Sequence, residues 1–275
     1  MEQDVKKATV VDDLKDITVE EKSFFLPIQV SLPSKGKLYD EKSSLHKVEY
    51  LELRGMTARE EDILTSRAYI RSGTALDKVL KSCITDRNID LDDLLIGDKN
   101  TLLVALRIES YGTDYRINIT CPDCNEKQEY TFSLSEAELK ILSAESLEEY
   151  KNLFEMQLPK SKAVVKFKLL TSRDDREITE LREALKKKAG IVEENLITSR
   201  MFKQIISVNG NEDRNYISKF VQTLPILDSK AFREYVRSIE PDVSLKCSFT
   251  CSSCGFKDKI DVPITLEFFW PTGNR

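Results

Sequence analysis

One histidine, one tryptophan and nine glycines in 275 residues leave this chain short of the parts from which common enzyme sites are assembled. With His46 as the only histidine, no nucleophile–histidine–acid set stands out. There is no GxxxxGK phosphate loop, no GxGxxG turn and no HExxH helix. Long apolar runs are missing too. No uninterrupted stretch approaches the roughly 18 residues of a spanning helix. The opening "MEQDVKKATVVDDLKDITVEEK" lacks the basic-then-apolar order of a secretory signal. These absences predict a protein that stays in the cytoplasm where it is made, with its thiols reduced. Nor is there an excess of positive charge: 42 Lys and Arg against 47 Asp and Glu give −5, which offers nucleic acid and anionic lipid no general attraction.

What is present suits a globular protein. Hydrophobic residues make up 40% and charged residues 32%, enough for a core under a well-solvated surface, in one large domain or two ordinary ones. Residues 1–22 are charged and weakly periodic and are expected to form a flexible arm. In "SFFLPIQVSLPSKGKLYD", Pro27 and Pro33 favour extended chain and "SKGK" a turn. This segment either adds to a neighbour's sheet edge or pairs within its own chain. "HKVEYLELRG" reads as a strand with Val48 and Tyr50 on one side.

"TAREEDILTSRAYIRSG" predicts one helix, opened by a Thr57/Glu60 capping box, striped by Ile63, Leu64 and Ile70, and stopped by Gly73. "TALDKVLKSC" predicts a second short helix. "DLDDLLIGDKNTLLVALRIESYG" predicts a turn and then a longer helix. Between 135 and 240 the pattern is mostly helical, with a hairpin at "FEMQLPKSKAVVKFKLLT". Helices are expected at "SRDDREITELREALKKK" and around 194–207, 214–223 and 229–238.

Cysteine is the informative residue. "CPDC" at 121–124 follows the alternating strand "YRINIT" and precedes "QEYTFSL". "CSSC" at 251–254 follows "VSLKCSFT", where Val243, Leu245, Cys247, Phe249 and Cys251 share a face, and precedes "FKDKIDVPI". Each pair thus sits at the tip of a hairpin. Asn125 and Gly255, the residues after each pair, most easily take the left-handed conformation of a metal knuckle. Cys121, Cys124, Cys251 and Cys254 are therefore expected to hold one structural zinc per chain. Four thiolates leave no open position for catalysis. A thioredoxin-like redox pair would lie between a strand and a helix, and neither pair does.

The long separation requires residues 135–240 to leave the hairpin unit and return to it. The chain then divides into an arm at 1–22, an N-terminal α/β part with the first knuckle at 23–134, a mostly helical insertion at 135–240, and the second knuckle with an aromatic tail at 241–275. The expected class is α+β: a zinc-ribbon-like β unit with an N-terminal helical layer and a long helical insertion.

Other residues have blander readings. Cys247 and Cys83 read as small core residues and His46 as a loop histidine. The lysines at 186–188 read as a solvated helix end that complements the dipole. Phe268, Phe269 and Trp270 in "EFFWPTGNR" either close the protein's own core or anchor a partner.

In this order, "LPSKGKLY", "LTSRAYIRSGTALDKVLKSC", "LRIESYGTDYRINITCPDC", "LPILDSKAFREYVRSIEPDV", "CSSCG" and "FFWP" resemble the baseplate proteins of T4-like tailed bacteriophages, hub-associated subunits of the contractile tail. The resemblance runs from about Leu32 to Pro271. It implies a non-enzymatic protein of baseplate assembly, with other hub or tail proteins as partners and the infected cell's cytoplasm, then the virion, as its place. Cys247 is not part of the family's pattern, and Asn125 stands where a glycine is common. A rival from another class is a zinc-ribbon nucleic-acid binder, which predicts a basic face and salt-sensitive binding.

Overall fold

The structure, a computed structural model, describes residues 26–142, 151–189 and 196–269. The expected arm at 1–22 and Trp270 lie outside the described residues. The chain begins with strands β1 (Ile28–Ser31) and β2 (Tyr50–Leu53), then helices α1 (Ala58–Thr65), α2 (Arg67–Arg71), α3 (Ala75–Cys83) and α4 (Ile96–Tyr111). Strands β3 (Asp114–Thr120), β4 (Lys127–Ser133), β5 (Glu138–Lys140), β6 (Phe154–Gln157) and β7 (Val164–Phe167) follow. Next come α5 (Ser172–Ala189), α6 (Leu196–Gln204), β8 (Ile205–Val208), α7 (Arg214–Thr223) and α8 (Ile226–Ile239). The chain closes with β9 (Asp242–Ser244), β10 (Lys246–Thr250) and β11 (Lys257–Asp261). Sheets are small: the pairs β1–β2, β3–β4, β5–β9 and β10–β11, and the three-stranded β6–β7–β8. The class is α+β. No helix among the described residues is long and apolar enough to cross a membrane.

The extended N-terminal segment pairs within its own chain: β1 runs antiparallel to β2, with Ile28 opposite Leu53 and Ser31 opposite Tyr50. The expected strand forms over Tyr50–Leu53. Leu51 and Leu53 enter the core, while Tyr50 is 52% exposed under the Lys35 ammonium. Alternation puts Leu51 and Leu53 on the face opposite Tyr50. Beyond β1 the chain is pinned to α4 through Asp98. This buried carboxylate accepts from Ser34 N (3.0 Å), Ser34 Oγ (2.5 Å) and Tyr39 OH (2.6 Å). Burial pushes the Asp98 carboxyl up, and the bonds from Ser34 and Tyr39 pull the other way.

The capping box is present. Glu60 accepts from Thr57 N (2.8 Å) and Thr57 Oγ1 (2.7 Å). It does more than cap. Fully buried, it also takes Arg54 Nη1 (3.1 Å), Arg54 Nη2 (2.9 Å) and Ser82 Oγ (2.5 Å), tying β2, α1 and α3 together. Burial alone would raise its carboxyl. The bonds from Arg54, Ser82 and Thr57 outweigh that and hold it far below the usual carboxylate range.

Glu60→Ala takes the carboxylate from the Arg54 guanidinium and removes the cap, so a loss of roughly 3 kcal/mol is expected in urea melts at pH 7. Because the folded pKa is depressed, this contribution is complete above the unfolded value of about 4.3 and fades as pH falls below it. The difference between wild type and variant should therefore narrow steadily as pH falls below about 4.

The single helix expected from Thr57 to Gly73 is two. Ser66 is extended (φ −65°, ψ 112°) and separates α1 from α2. The turn carries Ile70, the last member of the expected stripe, out to 42% exposure. A second correction falls at 194–207, where helix α6 stops at Gln204 and Ile205–Val208 forms β8 against β7. The β-branched Ile-Ile-Ser-Val run buries Ile205 and Val208 in the sheet, and Asn209 and Gly210, both at positive φ, turn the chain after it. So the mostly helical stretch also carries a sheet. One hydrophobic core runs from Val30 to Phe269 through the expected segments, with Phe167 and Phe232 edge to face at 5.1 Å.

Two contacts bring the chain back to the hairpin unit after α8. Strand β5 pairs with β9, Leu139 opposite Val243. Gly97, in the first turn of α4, lies directly against the Pro241 backbone, where a Cβ would come within 1.8 Å of the carbonyl oxygen.

Candidate metal centre

Both hairpins reach the centre by the same local construction. In the first, β3 and β4 pair from Asp114/Ser133 to Thr120/Lys127; in the second, β10 and β11 pair from Lys246/Asp261 to Thr250/Lys257. At the first tip Cys121 N donates to Glu126 O (2.9 Å) and Asn125 N to Cys121 O (2.9 Å). At the second, Cys251 N donates to Phe256 O (2.8 Å) and Gly255 N to Cys251 O (3.0 Å). Asn125 (φ 59°) and Gly255 (φ 76°) take the left-handed conformation that this closure needs.

The tips meet. All four Sγ atoms of Cys121, Cys124, Cys251 and Cys254 lie within 4.8 Å of one another. Across the hairpins Cys121 and Cys254 are 3.7 Å apart, and Cys124 and Cys251 3.6 Å. Cys121 and Cys251 are buried, Cys124 and Cys254 exposed, so the cluster opens to solvent on one side. Its floor is a separate small core of Ile119 and Phe249 with the two buried cysteines, fringed by Tyr130, Phe256 and Ile260.

The sulfurs differ electrostatically. Backbone N–H groups of Cys254 and Ser253 outweigh desolvation and bring the Cys251 thiol down to about 6. For Cys254, the Phe256 N–H pulls down, but desolvation and the crowding sulfurs of Cys124, Cys251 and Cys121 push it up to about 12. Four sulfurs at this spacing repel as thiolates. They ionise together only beside a compensating cation.

Two side chains that the sequence reading passed over tie the hairpins to each other. Gln128 Oε1, on β4, accepts from Ser252 N (3.1 Å) and Ser252 Oγ (2.6 Å) in the second tip. Tyr130 OH donates to Ser248 O (2.5 Å), and its ring meets Phe249 edge to face at 5.6 Å. A signal for Gln128 lies in the alternation, which puts it on the face of Tyr130 and Phe132.

The other candidates fall elsewhere. Cys247 is buried in β10, its Sγ 3.5 Å from Ile260 O, and is not one of the clustered four. Burial pushes the thiol of Cys83, the fully enclosed last residue of α3, up to about 12. His46 Nδ1 lies 2.7 Å from Tyr39 O. The lysine side chains at 186–188 lie outside the described residues. Phe268 and Phe269 are 0% exposed and lie in the chain's own core, with Phe268 5.0 Å from Tyr115. Arg107 Nε donates to Phe268 O (3.1 Å) and locks that end down.

Fold and centre together define an α+β protein closed on itself by two distant cysteine hairpins. Residues 27–270 match the family described as T4 bacteriophage base plate protein, and the chain belongs to that family. No curated protein and no solved structure matches the chain.

Proposed function

We propose that this chain is a structural or assembly protein of the hub region of a contractile-tail phage baseplate. It acts through contacts with other baseplate or tail proteins rather than through catalysis, and its place is the infected cell during assembly and then the virion. The family match over residues 27–270 carries this reading. The cysteine cluster supports a scaffold role, since a site supplied wholly by thiols leaves a bound metal no position for substrate.

The same reading takes the metal to be one structural zinc held by Cys121, Cys124, Cys251 and Cys254. With Zn–S near 2.3 Å, a tetrahedral set has sulfurs about 3.8 Å apart. The separations of 3.6 and 3.7 Å across the hairpins fit that figure. Bound there, zinc supplies charge compensation and a cross-link between chain segments that are far apart in sequence.

Quantitative mass spectrometry of purified virions and of isolated baseplate intermediates tests the placement. The expected result is a fixed copy number in the intermediates, retained in virions if the chain is a permanent subunit and lost if it is an assembly factor. Absence from both would overturn the proposal.

A further inference from the structure

The two cysteine tips are held together by contacts that need no metal. Tyr130 OH donates to Ser248 O, and the Tyr130 ring meets Phe249 edge to face. Gln128 Oε1 accepts from Ser252 N and Ser252 Oγ. Beneath the sulfurs, Ile119 and Phe249 pack with Cys121 and Cys251 in their own small core. These contacts keep the tips in register whether or not an ion is bound.

Register decides which sulfurs can bond to each other. The close contacts run across the hairpins, Cys121 to Cys254 at 3.7 Å and Cys124 to Cys251 at 3.6 Å. A disulfide bond is about 2.05 Å long, so each pair has to close by roughly 1.6 Å, a small side-chain movement. Each pair also joins a buried sulfur, Cys121 or Cys251, to an exposed one, Cys254 or Cys124. That division suits stepwise oxidation, in which a reagent reaches the outer sulfur and the inner one resolves it. Chain length alone would favour other bonds. The partners are 133 and 127 residues apart, and in an unfolded chain the two cysteines of one Cys-x-x-Cys meet far more often.

We propose that the centre is also a site of disulfide formation, where Cys121 bonds to Cys254 and Cys124 to Cys251 as a second, metal-independent closure of the fold. The oxidant is a peroxide. It converts the outer thiol to a sulfenic acid and is itself reduced to water or an alcohol. The inner thiol then attacks that sulfur, the S–S bond forms, and the hydroxyl leaves as water with the thiol's proton. Two rounds consume two peroxides and make both bonds. Sulfurs bonded in this way no longer serve as thiolate ligands, so the two closures are alternatives. The occasion rests on the baseplate placement above: a cell interior keeps thiols reduced, and the surface of a released virion does not.

The test treats the full reduced chain, in chelator, with hydrogen peroxide, then alkylates it and digests it with trypsin without reduction. Residues 117–127 carry both cysteines of the first tip, and residues 247–257 carry both of the second together with Cys247. The expected product is these two peptides joined to each other, in about tenfold excess over peptides closed on themselves. Fragmentation should assign the bonds to Cys121–Cys254 and Cys124–Cys251 and find Cys247 alkylated. In chelator the oxidised chain should unfold at higher urea than the reduced chain, because two long loops are closed.

Bonds within each Cys-x-x-Cys, or Cys121 joined to Cys251, would overturn the proposal. So would an oxidised chain no more stable than the reduced one. A parallel sample with zinc keeps the metal reading separate. Slower oxidation in zinc supports both, whereas cross-hairpin bonds that form equally fast with and without zinc uphold the disulfide site and count against the metal.

Discussion

Cys124→Ser is expected to cost the protein about 3–4 kcal/mol of stability when zinc is in excess, the equivalent of a hundred- to thousandfold loss of metal affinity. The size is diagnostic because Cys124 is exposed. At a surface position with no special role, such a change shifts stability by no more than about 0.5 kcal/mol. A large loss therefore reports a ligand. Cys247→Ala is the matched control. Cys247 is buried in the hydrophobic core, with its Sγ donating only to Ile260 O, and is not among the clustered sulfurs, so this variant should lose some packing energy and keep its metal. Denaturant melts of the three proteins, each with zinc and with a chelator, separate the effects. Wild type and Cys124→Ser should differ in zinc and nearly coincide in chelator.

The second large effect is expected at Gly97→Ala. In most helices this change stabilises, by up to about 1 kcal/mol. Here the sign reverses, because the new Cβ would stand 1.8 Å from Pro241 O, 2.8 Å from Pro241 C and 2.9 Å from Asp242 Cα. These are backbone atoms and cannot rotate aside as a side chain tip would. Helix α4 and the β9 backbone must separate, at a cost of about 3 kcal/mol in the range of severe overpacking. The damage should be local at first. Strand β9 loses its seat on α4, and its pairing with β5 loosens. Hydrogen exchange should accelerate at Asp242–Ser244 before it does in the β6–β7–β8 sheet. Gly112→Ala is the contrast: with nothing within 4 Å of its added Cβ, it should cost only the strain of its φ 82°, ψ 178° backbone, a region almost reserved for glycine, of order 1–3 kcal/mol.

Much of this architecture could be read from residue order because its signals are local. The alternation in "YRINIT" and "VSLKCSFTC", the two Cys-x-x-Cys spacings and the Thr57/Glu60 box each lie within a few residues, and each appears as expected. The candidate site was legible for the same reason, since two equal half-sites ask to be joined. What stayed hidden depends on partners distant in sequence. Nothing near Gly97 announces that Pro241 will lie on it. Glu60 reads as a cap, and its burial under Arg54 and Ser82 emerges only when β2 and α3 close over α1. Which face of β2 enters the core was not legible, because alternation alone leaves that choice to its partner β1. The Ile205–Val208 strand was absorbed into a helix because the periodicity of four residues does not decide between the two.

The most direct measurement of the central claim is metal analysis of the chain purified without chelator. The account predicts about one zinc per chain, released in step with the reaction of four thiols and lost in Cys124→Ser. A cooperatively folded protein that carries no metal and takes up none from added zinc would contradict it.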